Sequence, residues 1–293
     1  MRVARTAVAT HTGRKRRHNE DAYVLQPPLF AIADGMGGAR AGEVASGLAA
    51  AALQTDDVDG SGKDRVTALI QAANRSVYER SSRDAEVAGM GTTMTVALVE
   101  DATVTFGHVG DSRAYVLRDG ALEQLTDDHS LVAELVRGGK LSAEEAEHHP
   151  QRSVITRALG TDPDVDVDTF TVDARDGDVF VLCSDGLTDM VGDEEIGEVL
   201  GERRESLREA AEELVRRANK AGGQDNITVI AFEMTDEPDE QTLEQTVEQT
   251  QPLPAPDDSP EAKKRRAWRR FVPLLILLLA IVAAAIALWV LAR

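Results

Sequence analysis

"TTMTVALVEDATVTFGHVGDSRAYVLRDG", residues 92–120, contains three runs rich in apolar and β-branched residues, 92–100, 102–110 and 113–118, parted by one or two polar residues. Such runs read as strands. The pairs at Glu100 and Asp101 and at Asp119 and Gly120 carry the turn chemistry of hairpins. Further strands are predicted at 29–34, 178–186 and 226–233, and helical spacing is found over 42–54, 64–81 and 206–222. In the last helix Leu207, Ala211, Leu214, Val215 and Ala218 form one stripe, and Ser206 with Glu209 reads as a capping box. Strands cluster by hairpins and helices fall between the groups, which argues against a regular βαβ parallel sheet. The fold class expected is α+β, an antiparallel β-sandwich with helices outside it.

The texture changes after residue 235. Residues 1–235 mix apolar runs, charges and glycine punctuation as a globular domain does. Residues 236–262 have no apolar period and repeat Glu-Gln-Thr three times, so they read as a disordered linker. Its 27 residues have a reach of about 30 Å. Next comes "KKRRAWRR", 263–270, and then 22 residues without a charge, 271–292. A helix of that length spans about 33 Å, the thickness of a hydrocarbon core, and Trp268 and Trp289 bracket it. A single transmembrane helix is expected there. The basic segment before it places residues 1–270 in the cytoplasm by the positive-inside rule. The basic start lacks the sustained apolar stretch of a secretory signal, and the sequence ends at Arg293, so no external sensing module is expected.

Residues 263–293 hold seven basic residues and no acid, so residues 1–262 carry 25 basic against 51 acidic side chains. Nucleic acid is therefore excluded as the expected partner. The single cysteine, Cys183, lies inside an apolar run, which disfavours both an intrachain disulfide and a thiolate nucleophile.

The acids stand at strand ends: "NED" at 19–21, "DG" at 34–35, "GDS" at 110–112, "SDGLTD" at 184–189 and "GGQDNIT" at 222–228. One such cluster is an ordinary turn. Five, without matching basic residues beside them, would repel one another on converging unless a cation lay between, and hard divalent ions take oxygen ligands.

The ordered set "RRHNED", "ADGMGGARAGEVAS", "GMGTTMTVAL", "GHVGDSRAYVLR", "LTDDHSLVAELVRGG", "VITRALG", "LCSDGLTDMV" and "GGQDNITVI" resembles the protein phosphatase 2C family in its bacterial form. The likeness to these metal-dependent Ser/Thr protein phosphatases covers residues 3 to about 233. It implies a four-layer αββα sandwich and two or three Mn²⁺ or Mg²⁺ ions. Phosphoserine and phosphothreonine in proteins would be hydrolysed by a metal-bridged hydroxide attacking phosphorus directly. By the resemblance Asp34 bridges two ions, the carbonyl of Gly35 touches one, and Asp185 and Asp225 ligate the other. Glu20 and Asp21 hold metal-bound waters, Asp111 with Asp185 and Asp189 matches an extra ion site, and Arg16 grips the substrate phosphate. Gly35, Gly37 and Gly38 are expected to let backbone approach the ions.

Met36 stands where many eukaryotic members have a histidine assigned as general acid, so here that proton must come from elsewhere. His18, His108 and His129 are expected to be structural. Residues 138–165 match a variable flap in which Ser142 and Glu145 predict a short capped helix, and His148 and His149 are expected to be solvated. Two other functions share these residues: an inactive phosphoprotein-binding scaffold, and a hydrolase of small phosphate esters. The expected partners are phosphorylated proteins, membrane Ser/Thr kinases and their substrates among them, met by a monomer at the cell membrane.

Overall fold

In the computed structural model, residues 1–37, 41–54 and 60–236 are described. β1 (Arg2–His11), β2 (Asp21–Gln26) and β3 (Leu29–Met36) lead to helices α1 (Ala41–Ala52) and α2 (Gly62–Arg83). Then come β4 (Gly91–Thr92), β5 (Met94–Glu100), β6 (Thr103–Val109), β7 (Arg113–Arg118) and β8 (Ala121–Gln124). The short helices α3 (Leu131–Arg137) and α4 (Ala143–Glu147) precede β9 (Asp168–Asp173) and β10 (Val179–Cys183). The chain continues through α5 (Asp185–Thr188), α6 (Asp193–Glu202) and α7 (Leu207–Ala221) to β11 (Ile227–Thr235).

The strands form two antiparallel sheets, ordered β1-β11-β10-β7-β8 and β2-β3-β5-β6-β9, with β4 paired to β3. Both expected hairpins form, pairing Glu100 with Thr103 and Arg118 with Ala121. In the second, Asp119 and Gly120 both take positive φ, 51° and 82°, as a type I′ turn requires.

Alternation within strands explains the layers. In β10, Phe180 and Leu182 face the other sheet and, with Val116, Ile230 and Phe232 of their own, meet its Phe30, Ile32 and Phe106. Phe30 and Phe232, one from each sheet, stack with centroids 4.1 Å apart. Val179, Val181 and Cys183 face the opposite way, onto Leu187, Ile196, Val199 and Leu214 of α5, α6 and α7. On the far side α1 and α2 cover the second sheet through Ala45, Ala49, Val66, Ile70 and Val77. Both faces of the central strands are thus dry, each large apolar side chain contributing about 1.5–3 kcal/mol of burial. The expected αββα order is present.

Several local expectations change. The predicted run 178–186 ends as a strand at Cys183, and Asp185 opens α5 instead, with Ser184 as its N-cap residue. The capping box at Ser142 is complete, whereas at Ser206 only the half in which Oγ accepts from Glu209 N–H is formed. The stripe on α7 is buried throughout. Among the described residues no helix is long and apolar enough to cross a membrane, and the expected linker and span at 237–292 lie outside them.

Candidate active site

The carboxylates arrive from both sheets at one end of the sandwich. Asp21 starts β2 and lies in register opposite Asp34 of β3. Asp111 follows β6, Asp185 follows β10, and Asp225 precedes β11. Antiparallel pairing of neighbouring strands brings the end of one beside the start of the next, so residues more than 200 positions apart in sequence meet here.

Their electrostatics show the convergence. Desolvation, then the neighbouring Asp21, Asp185, Asp111 and Asp225, hold the Asp34 carboxyl well above the ordinary carboxylate range. Burial and then Asp111, Asp189 and Asp225 do the same to Asp185, with Asp34 pulling the other way. Burial pushes Asp21 up to about 6 and, with Asp128 as the next cause, Asp111 up to about 7. Asp189 ends α5 at the rim of the group; desolvation raises it, and Arg152 pulls the other way. Glu20 is raised first by desolvation and opposed by Arg16.

Supporting bonds fix these side chains. Asp21 Oδ2 accepts from Ser184 Oγ at 2.9 Å and from Thr228 Oγ1 at 2.6 Å. Asn226 ties two segments together: its Oδ1 accepts from Glu20 N, its Nδ2 donates to the carbonyls of Thr12 and His18, and its own N donates to Asp225 Oδ1. Thr93 Oγ1 accepts from Asp34 N at 2.9 Å. Ser184, Thr228, Thr93 and Asn226 were not singled out in the sequence; only Asn226 had a signal, its place directly after Asp225.

Arg16 reaches the group, with Nη2 2.6 Å from Asp225 Oδ2. The residue expected to hold substrate phosphate is thus paired with an expected ion ligand. Gly35 also has a packing role. A Cβ on Gly35 would stand 2.1 Å from the carbonyl oxygen of Gly42 and 2.7 Å from that of Glu20, so its bareness lets α1 and the 19–20 segment close on β3. Gly37 has φ 148°, and Gly38 lies outside the described residues.

His108 and His129 are structural, as expected. Burial pushes His108 down to about 3, between Thr95 Oγ1 and the carbonyl of Asp127. His129 Nδ1 accepts from Gly110 N, which leaves Nε2 to donate to Asp168 Oδ2 at 3.1 Å. Cys183 is buried and its thiol pushed up to about 12, so it offers no thiolate. Met36 ends β3 opposite Gly91.

Divalent ions fit this donor set. Every converging ligand is oxygen, and Asp21 Oδ1, Asp111 Oδ1 and Asp185 Oδ1 are buried without a hydrogen-bond partner. Unpaired buried carboxylate oxygens are costly, and a hard cation removes the cost. No ready-made cage of three His, Cys, Asp or Glu side chains occurs among the described residues. That is compatible with Mg²⁺-like binding, in which one or two carboxylates hold an ion that keeps several waters.

Known proteins are similar to this chain in sequence and fold. The serine/threonine phosphatase stp of Listeria monocytogenes is 40% identical over 240 residues, covering 76% of this chain and 93% of that protein. A crystal structure of the Mycobacterium tuberculosis serine/threonine phosphatase PstP/Ppp superposes with a TM-score of 0.75 at 41% identity, covering 80% of this chain and 99% of that one. The catalytic domain of PstP in complex with two manganese ions gives a TM-score of 0.73 at 39% identity, covering 80% and 100%. The model of the family described as protein phosphatase 2C matches residues 10–229, and with the two sheets, their flanking helices and the carboxylates at their shared end, the chain belongs to that family.

Proposed function

We propose that this chain hydrolyses phosphoserine and phosphothreonine in proteins, using divalent ions held by its strand-end carboxylates. The observation that carries this reading is the set of three buried, unpartnered oxygens on Asp21, Asp111 and Asp185, converging with Asp34 and Asp225. The names of the relatives support protein substrates, and the manganese complex of one supports Mn²⁺.

Asp34, Asp185 and Asp225, with the carbonyl of Gly35, would hold the ions. Asp111 and Asp189 would serve a further one. Bound ions lower the pKa of water and offset charge on phosphoryl oxygens during in-line displacement. Asp21 is held by Ser184 and Thr228 through one oxygen, so its other oxygen keeps a fixed direction from which to accept a proton or orient water. Glu20, whose backbone N–H is tied to Asn226, would do the same. Arg16 would grip the substrate phosphate; its ion pair with Asp225 is open to solvent on the arginine side, so separating the two would cost little. Neither Met36 nor the buried thiol can donate the leaving-group proton.

The site would work at the cytoplasmic face of the membrane, anchored through residues 271–292. The uncharged run and the basic segment before it support this. Tethering raises the effective concentration of partners on the same leaflet, which makes membrane Ser/Thr kinases and their substrates the natural targets.

The test is hydrolysis of a phosphothreonine peptide by the full chain with Mn²⁺, with EDTA, and with Asp185→Ala. Activity should need the ion and fall at least about 100-fold in the variant. Equal hydrolysis in EDTA, or by the variant, would sink the reading.

A further inference from the structure

The loop between β1 and β2 carries four consecutive cations, Arg14, Lys15, Arg16 and Arg17, all exposed. They stand out against residues 1–236, which hold 25 basic and 43 acidic side chains. Arg16 is occupied by Asp225. Among the described residues Arg14, Lys15 and Arg17 make no side-chain ion pair or hydrogen bond. A run of unpaired like charges is unfavourable for the loop by itself, so its position matters.

That position is fixed against the active site. The backbone N–H groups of Arg14 and Lys15 both donate to the carbonyl of Gly223, at 2.7 and 3.2 Å. Gly13 has φ 78°, and a Cβ there would stand 2.1 Å from the carbonyl oxygen of Asp225. Only a glycine lets the loop lie flat on the segment that carries Asp225. The three unpaired cations are therefore held within one or two residues of the side chain that meets Asp225.

We propose that Arg14, Lys15 and Arg17 select substrates carrying a second anionic group, a carboxylate or another phosphate, close to the phosphorylated residue. The proposal rests on the protein phosphatase reading above and names the substrate class for that site. An acidic peptide approaching this domain meets a net negative surface, and the loop reverses the local field where the peptide must land. Exposed charges of this kind act on encounter and ground-state binding, so the preference belongs in KM and weakens with salt. An anionic leaflet is the less suitable occupant, since laying this loop on lipid would close the approach to Asp225.

The experiment uses the full chain with Mn²⁺ in nanodiscs of neutral lipid. Three phosphothreonine peptides of equal length are compared, with neutral flanks, with glutamates beside the phosphothreonine, and with a second phosphoserine there. At low salt the glutamate peptide should be favoured over the neutral one about tenfold in kcat/KM, the size expected of three cations acting through about 8 Å of water. The doubly phosphorylated peptide should be favoured more, and a preference confined to it identifies phosphate as the recognised group.

Arg14→Gln/Lys15→Gln/Arg17→Gln should bring the ratios close to one. Lys63→Gln/Arg75→Gln, which removes exposed charge elsewhere, should leave them in place. Should the triple variant fail to fold, Lys15→Gln and Arg17→Gln singly should each lower the ratio about twofold. Equal cleavage of all three peptides by the unaltered chain, or a preference that survives the triple change, overturns the proposal. Unchanged ratios with activity lost only in anionic-lipid discs would assign the loop to the leaflet and overturn it too. Cleavage of para-nitrophenyl phosphate with no cleavage of any peptide defeats the underlying phosphatase reading, a result distinct from equal cleavage.

Discussion

Replacing Gly35 by alanine separates two explanations of the glycines around Asp34. If the residue is bare so that backbone can approach ions, Gly35→Ala should weaken ion binding and leave the ion-free protein as stable as before. The structure gives a different expectation. The new methyl would stand 2.1 Å from the Gly42 carbonyl oxygen and 2.7 Å from that of Glu20, and both are backbone atoms. Ordinary contact begins near 3.4 Å. The methyl must therefore push α1 or the 19–20 segment away by about 1 Å, and neither yields as a flexible side chain would. Overpacking of a well-fitted interior costs about 1–3 kcal/mol, and rigid backbone on two sides puts this case near the upper end. The assay is urea unfolding of the full chain in EDTA. The midpoint should fall by about 1–2 M, since a small domain loses about 1–3 kcal/mol per molar urea. In Mn²⁺, kcat/KM on a phosphothreonine peptide should drop about 100-fold, because Asp34 is the next residue and a misplacement near 1 Å has that effect. A variant with an unchanged midpoint in EDTA but weakened Mn²⁺ binding would refute the packing account and restore the ion-approach one.

Three further outcomes follow from the same site and its surroundings. Addition of Mn²⁺ at 100 times its Kd should stabilise the chain by about 2.7 kcal/mol per site and raise the calorimetric Tm, with EDTA reversing it; an unmoved Tm would show that the buried oxygens do not bind ions in the folded state. Arg16→Ala should raise KM for a phosphopeptide while tightening Mn²⁺ binding up to about fivefold, since the half-exposed pair with Asp225 no longer competes; weaker Mn²⁺ binding by titration calorimetry would contradict that competition. On α7, hydrogen bonds from Arg216 and Arg217 hold the Glu213 carboxyl down at about 2 against an ordinary 4.5. A depressed folded-state value stabilises above the unfolded one, so the stability gap between the unaltered chain and Glu213→Gln should be full above pH 5 and shrink as pH falls from 4.5 towards 2. A gap in thermal midpoints that stayed constant from pH 6 to pH 3 would contradict it.

The strands legible in the sequence share one property. β3, β5, β6, β7, β10 and β11 are the interior strands of the two sheets, and all six were predicted. β1, β8, β2 and β9 are the four edges, and none shows as an apolar run, β8 being implied only by the hairpin turn at Asp119 and Gly120. An interior strand here lies between the other sheet and a helix layer, so its residues are apolar on both faces, as in the wholly buried "VFVLC" of β10. An edge strand borders solvent and carries charge, as do Arg2 and Arg5 in β1 and the aspartates that bound "DTFTVD" in β9, which removes the apolar signal and also blocks edge-to-edge pairing. α6 was missed although Ile196, Val199 and Leu200 keep helical spacing, because three acids fill its first turn and hide the stripe. The site divides in a similar way. Aspartates were found because five of them stand at strand ends. Ser184, Thr228 and Thr93 were not, because a hydroxyl that orients an aspartate looks in sequence like any other strand-end hydroxyl.

The same layering explains why the site stands where it does and why it needs ions. Each sheet is sealed on one face by its partner sheet and on the other by helices, so the side walls offer no room for a polar cluster. The strand ends are the place where backbone from both sheets meets without an apolar cover. Putting aspartates there in number is expensive: burial and mutual repulsion raise Asp21, Asp34, Asp111 and Asp185 together, and three of their oxygens find no donor. Replacing them with apolar residues would remove that cost and, with it, every ligand for a cation. The molecule instead spends its few nearby cations at the edge of the group, Arg16 on Asp225 and Arg113 on Asp128, and among the described residues pairs none with Asp21, Asp34, Asp111 or Asp185. Such a centre would favour divalent ions, in a geometry that hydroxyls and Asn226 already hold around Asp21 and Asp34, with Asp225 left to turn from Arg16.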